Sequence, residues 1–263
     1  MTATPNRQLV ICKDAATLAE TAARRFSQLA RDTVAEKGKF SVALSGGSTP
    51  KAMFSLLAAA PLNAEVPWAS TFVFWSDERT VPPDHPDSNY RMAYESLISK
   101  VPLPESNVFR MRGEDDPAKA AEEYQREFTG FFGPGSPRFD LILLGMGDDG
   151  HTASLFPGTE ALNIKDRQVV SNYVKKLNTY RLTMTRPAIN AAAAVSFLVS
   201  GAGKAPTLKR VLQGELDPNQ LPSQSIRPVN GTLTWIADRE AVADLSLPEG
   251  TLNGGSDVIE ISI

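Results

Sequence analysis

Phe139-Asp-Leu-Ile-Leu-Leu-Gly-Met-Gly-Asp-Asp-Gly-His151 decides the fold class. Its first half is a short apolar run without period-two alternation, the pattern of a strand buried on both faces. Its second half is a glycine-rich loop at the end of that strand. Similar apolar runs recur at Leu9–Cys12, Phe40–Leu44, Thr71–Trp75, Arg181–Met184, Val195–Val199 and Leu233–Ile236. Helical patterns lie between them, beginning after Asp14 (Ala15–Ala35) and at Pro50, Ser88, Pro117, Pro187 and Lys204. Pro in a first turn is a start signal because its missing N–H would have been unpaired there. Asp238 is a candidate cap for a last helix over Arg239–Ala243. Strands alternating with helices predict an α/β fold, a mainly parallel sheet with helices on both faces. No internal repeat appears. The Pro/Gly-rich stretches Val81–Asp87 and Gly130–Pro137 read as surface loops, so residues 1–263 are read as one domain. The turn-rich tail Leu247–Ile263 ends in a β-like segment, Val258–Ile263, that the sequence does not place.

Composition narrows the function. A chain of 263 residues suits one large domain or at most two, and buries a core without disulfides or metals. Hydrophobic and charged fractions of 42% and 22% are those of an ordinary globular protein. A net charge of −3 gives no global positive field, so neither nucleic acid nor an anionic membrane is expected as a partner. The single cysteine, Cys12, lies in an apolar run and reads as a small buried hydrophobe, which excludes a disulfide framework and a cysteine zinc site. Met1–Arg7 carries no long apolar segment, and no later stretch reaches the ~18 apolar residues of a membrane span. A cytoplasmic protein is expected.

In sheets of this kind ligands bind beyond the carboxyl ends of the strands, and three strand exits are chemically loaded. Ser45-Gly-Gly-Ser-Thr-Pro50 follows the strand Phe40–Leu44 and enters a helix. Gly46 and Gly47 let backbone N–H groups face one point, Ser48 and Thr49 add hydroxyls, and the helix start adds partial positive charge. The stretch serves as a phosphate cradle or, equally, as a plain strand–helix turn with a cap. It lacks the lysine of a nucleotide P-loop. Trp75-Ser-Asp-Glu-Arg79 ends another strand. Such charge runs are commonly solvated, but this one stands opposite the cradle. Arg79 is suited to a bidentate fork on phosphate, and Asp77 or Glu78 to orienting sugar hydroxyls or holding Arg79. His85 reads as an exposed loop histidine.

Gly145–His151 is the third exit. Its formal Gly-x-Gly-x-x-Gly invites a dinucleotide reading, but Asp148 and Asp149 would repel a pyrophosphate by about 1 kcal/mol each even at water-like screening. Pro157 also arrives too early for the long first helix of a dinucleotide-binding unit. The loop is better read as presenting His151, a general base at neutral pH, with Asp149 orienting the ring. No Gly-x-Ser-x-Gly nucleophile elbow occurs.

Ser45–Pro50, Trp75–Arg79, Ser88-Asn-Tyr90, Gly145–Pro157 and Gly201-Ala-Gly-Lys204, in that order, resemble the 6-phosphogluconolactonase family, part of a group that includes glucosamine-6-phosphate isomerase/deaminase. The resemblance implies a Rossmann-like fold without metal or other cofactor. It implies hydrolysis of 6-phospho-D-glucono-1,5-lactone to 6-phospho-D-gluconate in the oxidative pentose phosphate pathway. His151 would be the base, and Gly46, Gly47, Ser48, Arg79 and Lys204 would hold the phosphate. Lys204 also has a case of its own: a first-turn lysine is disfavoured by the helix dipole unless a bound dianion removes the penalty. The partner is then a small sugar-phosphate lactone, and the chain a monomer or weak homo-oligomer. The isomerases carry a glutamate five residues after the loop histidine, where this chain has Phe156, which cannot relay protons. A DNA-binding sugar-phosphate sensor lacks room for a reading module before Phe40. The basic stretch Lys175–Arg181 fits a flap over phosphate and a solvated connection alike.

Overall fold

The computed structural model describes residues 6–135, 137–252 and 256–263. The readings made at Met1–Pro5, Ser136 and Asn253–Gly255 lie outside them. The elements are β1 (Asn6–Cys12), α1 (Ala15–Lys37), β2 (Phe40–Leu44), α2 (Ser48–Leu57), α3 (Leu62–Glu65), β3 (Thr71–Trp75), β4 (Asp77–Arg79), α4 (Asn89–Ser96), α5 (Pro117–Phe132), β5 (Leu141–Leu144), β6 (Val169–Val174), β7 (Thr179–Met184), α6 (Arg186–Asn190), β8 (Ala194–Val199), α7 (Ala205–Gln213), β9 (Thr232–Asp238) and β10 (Val258–Ser262).

Seven strands form one sheet in the order β10-β1-β9-β8-β5-β2-β3, parallel except for the edge strand β10. Alternate residues of its strands feed opposite cores. Leu9 and Ile11 join Tyr124, Phe128 and Leu208 from α5 and α7 on one face, while Val10 and Cys12 join Phe26 and Phe54 from α1 and α2 on the other. Both faces are covered by helices, as the unalternating apolar runs predict. Cys12 is fully buried.

Local sequence sets the helix ends. Asp14 caps α1 by accepting the Thr17 N–H at 2.8 Å, and Gly38 closes it in the left-handed conformation. Ser88 and Asp116 cap α4 and α5 in the same way. α2 begins at Ser48 rather than Pro50, placing the proline inside its first turn, where a missing N–H costs nothing.

Three expectations change. Arg181–Met184 is part of β7, which lies not in the parallel sheet but at the centre of an antiparallel sheet, β4-β7-β6. Ser76 joins the two sheets: its N–H donates to Leu44 O, and its carbonyl accepts from Met184 N–H, both at 2.8 Å. Residues 239–244 form turns rather than a helix, although the Asp238 carboxylate accepts from Ala241 N–H as a cap would, and from Gly201 N–H as well. Phe139 and Asp140 stand outside β5, with the Asp140 carboxylate bound to the Ser41 N–H and hydroxyl. The tail finds its place as β10, antiparallel to β1.

Candidate active site

A cleft of ≈ 500 Å³ opens beyond the carboxyl ends of β2, β5 and β8. After β2 the chain runs outward to β3, and it returns to the other side of β2 with β5. The exits diverge at this switch point and leave a crevice. Gly46, Gly47, Ser48, Asp77, Arg79, His151 and Lys204 all line it, so the three loaded exits and the later lysine converge.

The Ser45–Thr49 loop is held from below. The buried Ser45 hydroxyl donates to Leu143 O at 2.7 Å and lies 2.8 Å from Ser76 Oγ, tying three strand ends together. Gly46 is required by a contact the sequence does not announce: a Cβ there would stand 1.8 Å from Asn89 Oδ1. Among the described residues no protein group accepts from the backbone N–H groups of Gly46, Gly47, Ser48 or Thr49. They stand at the start of α2, an arrangement suited to an anion.

The Asp-Glu-Arg run is not solvated. Asp77 is 7% exposed and accepts from the Ser154 hydroxyl at 2.7 Å. Glu78 does not face the cleft. Its carboxylate accepts from the N–H groups of Arg79, Asn89 and Tyr90 and from the Ser88 hydroxyl, so it anchors the start of α4. Burial pushes the Glu78 carboxyl up, against those backbone bonds. The Arg79 guanidinium is held instead by the Asp87 carbonyl. Arg79 and Arg181 face each other across β4 and β7, and both line the cleft. Burial and then repulsion by Arg79 lower the Arg181 pKa. Like charges directly opposite in a ladder are destabilising, and an anion between them reverses the sign.

In the third loop the two aspartates part company. Asp149 turns to His151, whose Nδ1 lies 2.5 Å from Oδ1, while its Oδ2 pairs with Lys176. Partial burial pushes the Asp149 carboxyl up, but the bonds with His151 and Lys176 outweigh this and hold it well below the usual carboxylate range. An ionised carboxylate only accepts, so His151 Nδ1 carries a proton, and in the neutral ring the lone pair is then on Nε2. Nε2 has no protein partner among the described residues. The imidazole stacks on Phe156 with centroids 4.0 Å apart, and Lys176 Nζ stands 5.3 Å from the far ring's centroid. Gly147 is required because a Cβ there would meet His151 Nδ1 at 2.0 Å. Asp148 points the other way and pairs with Lys204 at 2.6 Å, with side-chain exposures of 82% and 29%.

The cleft thus offers one imidazole, one buried carboxylate at Asp77 and four cationic side chains: Arg79, Lys176, Arg181 and Lys204. This suits proton abstraction beside a bound phosphate. Among the described residues no group of three or more His, Cys, Asp or Glu side chains could hold a metal ion, and no helix is long and apolar enough to cross a membrane. Asn89, Ser154, Lys176 and Arg181 also line the cleft; the first two lie in the motifs Ser88–Tyr90 and Gly145–Pro157 and the last two in the basic stretch 175–181, but their places depend on contacts across the fold. His85 is half-buried, lies outside the cleft and accepts from the Asp87 N–H.

A family model described as glucosamine-6-phosphate isomerases/6-phosphogluconolactonase matches residues 13–235. The chain is 44% identical over 218 residues to a 6-phosphogluconolactonase of Nostoc sp., covering 81% of this chain and 88% of that protein. It is 45% identical over 216 residues to a 6-phosphogluconolactonase of Synechocystis sp., covering 81% and 87%. It superposes on the 6-phosphogluconolactonase from Trypanosoma cruzi with a TM-score of 0.81 and 28% identity, over 94% of this chain and 99% of that one.

Proposed function

The chain belongs to the glucosamine-6-phosphate isomerase/6-phosphogluconolactonase family, and from this we propose that it hydrolyses 6-phospho-D-glucono-1,5-lactone to 6-phospho-D-gluconate with His151 as general base. The observation that carries the reading is the His151 corner. Nδ1 is bonded to Asp149, one ring face lies on Phe156, and Nε2 is left with no protein partner among the described residues. A lactone is an activated ester, so water suffices as nucleophile. Nε2 takes a proton from water as its oxygen bonds to C1. The C1–ring-oxygen bond then breaks, and the imidazolium returns the proton to the departing oxygen. Water and lactone are consumed, one hydroxy acid is formed, and the histidine ends neutral. Asp149 stabilises the transient imidazolium and fixes the tautomer.

The phosphate is held by the Gly46–Ser48 cradle, Arg79 and Lys204, which fixes C1 against the water. Lys204 exchanges Asp148 for phosphate at small cost, since an exposed ion pair contributes only about 0–1 kcal/mol. Asp77, kept buried and oriented by Ser154, is placed to accept from a sugar hydroxyl. The isomerase reading needs an ionisable relay where Phe156 stands, and a phenyl ring has no exchangeable proton. The test is a pH-controlled assay on the phospholactone, corrected for spontaneous opening. Acceleration well above the uncatalysed rate is expected from wild type. No acceleration, or ammonia release from glucosamine 6-phosphate, would sink the reading.

A further inference from the structure

At the opposite end of the sheet from the cleft lies a small cavity with the wrong charge balance to be empty packing. It measures ≈ 70 Å³ and sits between the first halves of β1 and β9, the end of α7 and the segment leading to Arg227. Arg7 of β1 pairs in register with Leu233, and Leu9 with Trp235, so Arg7, Leu233 and Trp235 share one face of adjacent strands. All three line the cavity, together with Arg227 and Gln224.

Its side-chain lining is rich in donors. The Arg7 Nε–H is buried without a partner, and so is the indole N–H of Trp235, a residue 1% exposed. Arg227 spends only Nε, on the Gln224 carbonyl at 3.2 Å. Gln224 cannot help further, because its Nε2 donates to Arg210 O and Glu215 O and its Oε1 accepts from Asp217 N–H. No acidic side chain lines the cavity among the described residues. Asp217, whose N–H donates to Gln224, does not line the cavity, and its Oδ1 accepts from the N–H groups of Asn219 and Gln220. Buried donors are normally satisfied, and two guanidiniums rarely share a cavity without an anion. Burial and then Arg227 lower the Arg7 pKa, as expected of a cation lacking its counter-charge. A water needs roughly 10–15 Å³ of such volume, so the space suits about five oxygen-sized positions, the scale of one tetrahedral ion.

We propose that this cavity is an anion site, distinct from the cleft, that holds one tetrahedral oxyanion of the phosphate or sulfate type against Arg7, Arg227 and the Trp235 indole N–H. It does not depend on the hydrolytic reading. Ser223 also lines the cavity, and its hydroxyl donates to Gly150 O at 2.8 Å, so the wall that an anion would brace also holds the residue before His151.

Two experiments test it. Crystals grown without phosphate or sulfate and soaked in selenate should show an anomalous peak within hydrogen-bond distance of Arg7, Arg227 and Trp235. Ordered water alone at that position, with selenate in the cleft, would overturn the proposal. In solution, calorimetric titration of Arg79→Ala protein with inorganic phosphate should retain one site. Adding either Arg227→Gln, at an exposed position, or Trp235→Phe, which keeps a ring in place, should weaken that site about tenfold or more. Unchanged affinity in both, with the fold intact by circular dichroism, would overturn it. Glycerol phosphate binding as well as the free ion would identify a phosphate ester as the source. Its failure beside inorganic phosphate would identify the free ion.

Discussion

Asp148 and Asp149 are neighbours in the same loop, each paired with a lysine, yet they do opposite work. Asp149 lies under partial cover, touches His151 and Lys176, and is held well below the usual carboxylate range. The Asp148 side chain is 82% exposed and, among the described residues, its carboxylate meets only Lys204. The difference is not chemical but positional. One residue of loop geometry sets one carboxylate against an imidazole and leaves the other in an exposed pair with a lysine. Partly buried groups hold their partners through orientation, whereas exposed pairs are screened and cheap to break.

The contrast can be broken most severely at the imidazole. His151→Asn should lower kcat roughly 10²- to 10⁴-fold, the range of general-base removal, with little change in KM; an unchanged kcat in steady-state assays would remove His151 from the mechanism. Asp149→Asn comes next. It leaves the volume intact but loosens the tautomer, and should lower kcat by about a hundredfold. A drop confined to KM would place Asp149 among the binding groups instead. Lys204→Ala or Arg79→Ala should raise KM about tenfold or more, the worth of one charge-assisted hydrogen bond, and should spare the rate on a non-phosphorylated lactone. Equal wild-type activity on phosphorylated and plain lactones would refute the phosphate assignment.

Asp148→Asn sharpens the comparison from the other side. It should change stability by no more than about 0.5 kcal/mol and slightly lower KM by freeing Lys204, as measured by denaturant titration and initial rates. A loss as large as that of Asp149→Asn would end the distinction. Stability against pH separates the two as well. The folded Asp149 carboxyl titrates below its unfolded value of about 3.9, so its contribution is complete above that value and is lost as pH falls through the depressed folded one. Asp149→Asn should therefore flatten the acid limb of the stability curve.

Much of this was legible in the chain. Phe40–Leu44, Thr71–Trp75 and the caps at Asp14 and Ser88 follow from local rules, because apolar runs and capping side chains act over a few residues. The convergence of Ser48, Arg79, His151 and Lys204 was inferable only from their order along a known motif set, and the cleft brings them together. What local rules could not supply lies in contacts between distant segments. The stretch Lys175–Arg181 remained ambiguous because β7 pairs with β4 about 100 residues away, which sets Arg181 opposite Arg79. Asp238 caps the turn that follows it through Ala241 N–H, and its second tie, to Gly201 across the fold, is not readable from local sequence.

By itself the sequence determined an α/β chain whose strands are buried on both faces and whose polar motifs fall at strand exits, since burial pattern and turn chemistry are properties of short segments. Only the tertiary structure decided that Glu78 anchors a helix while Asp77 faces the cleft, that Gly46 must be glycine because Asn89 fills its Cβ position, and that Phe156 lies against His151. The physical reason is the same in each case. A side chain's role is set by its nearest non-bonded neighbours, and these come from the next loop as well as from distant crossovers, where short-range patterns do not reach.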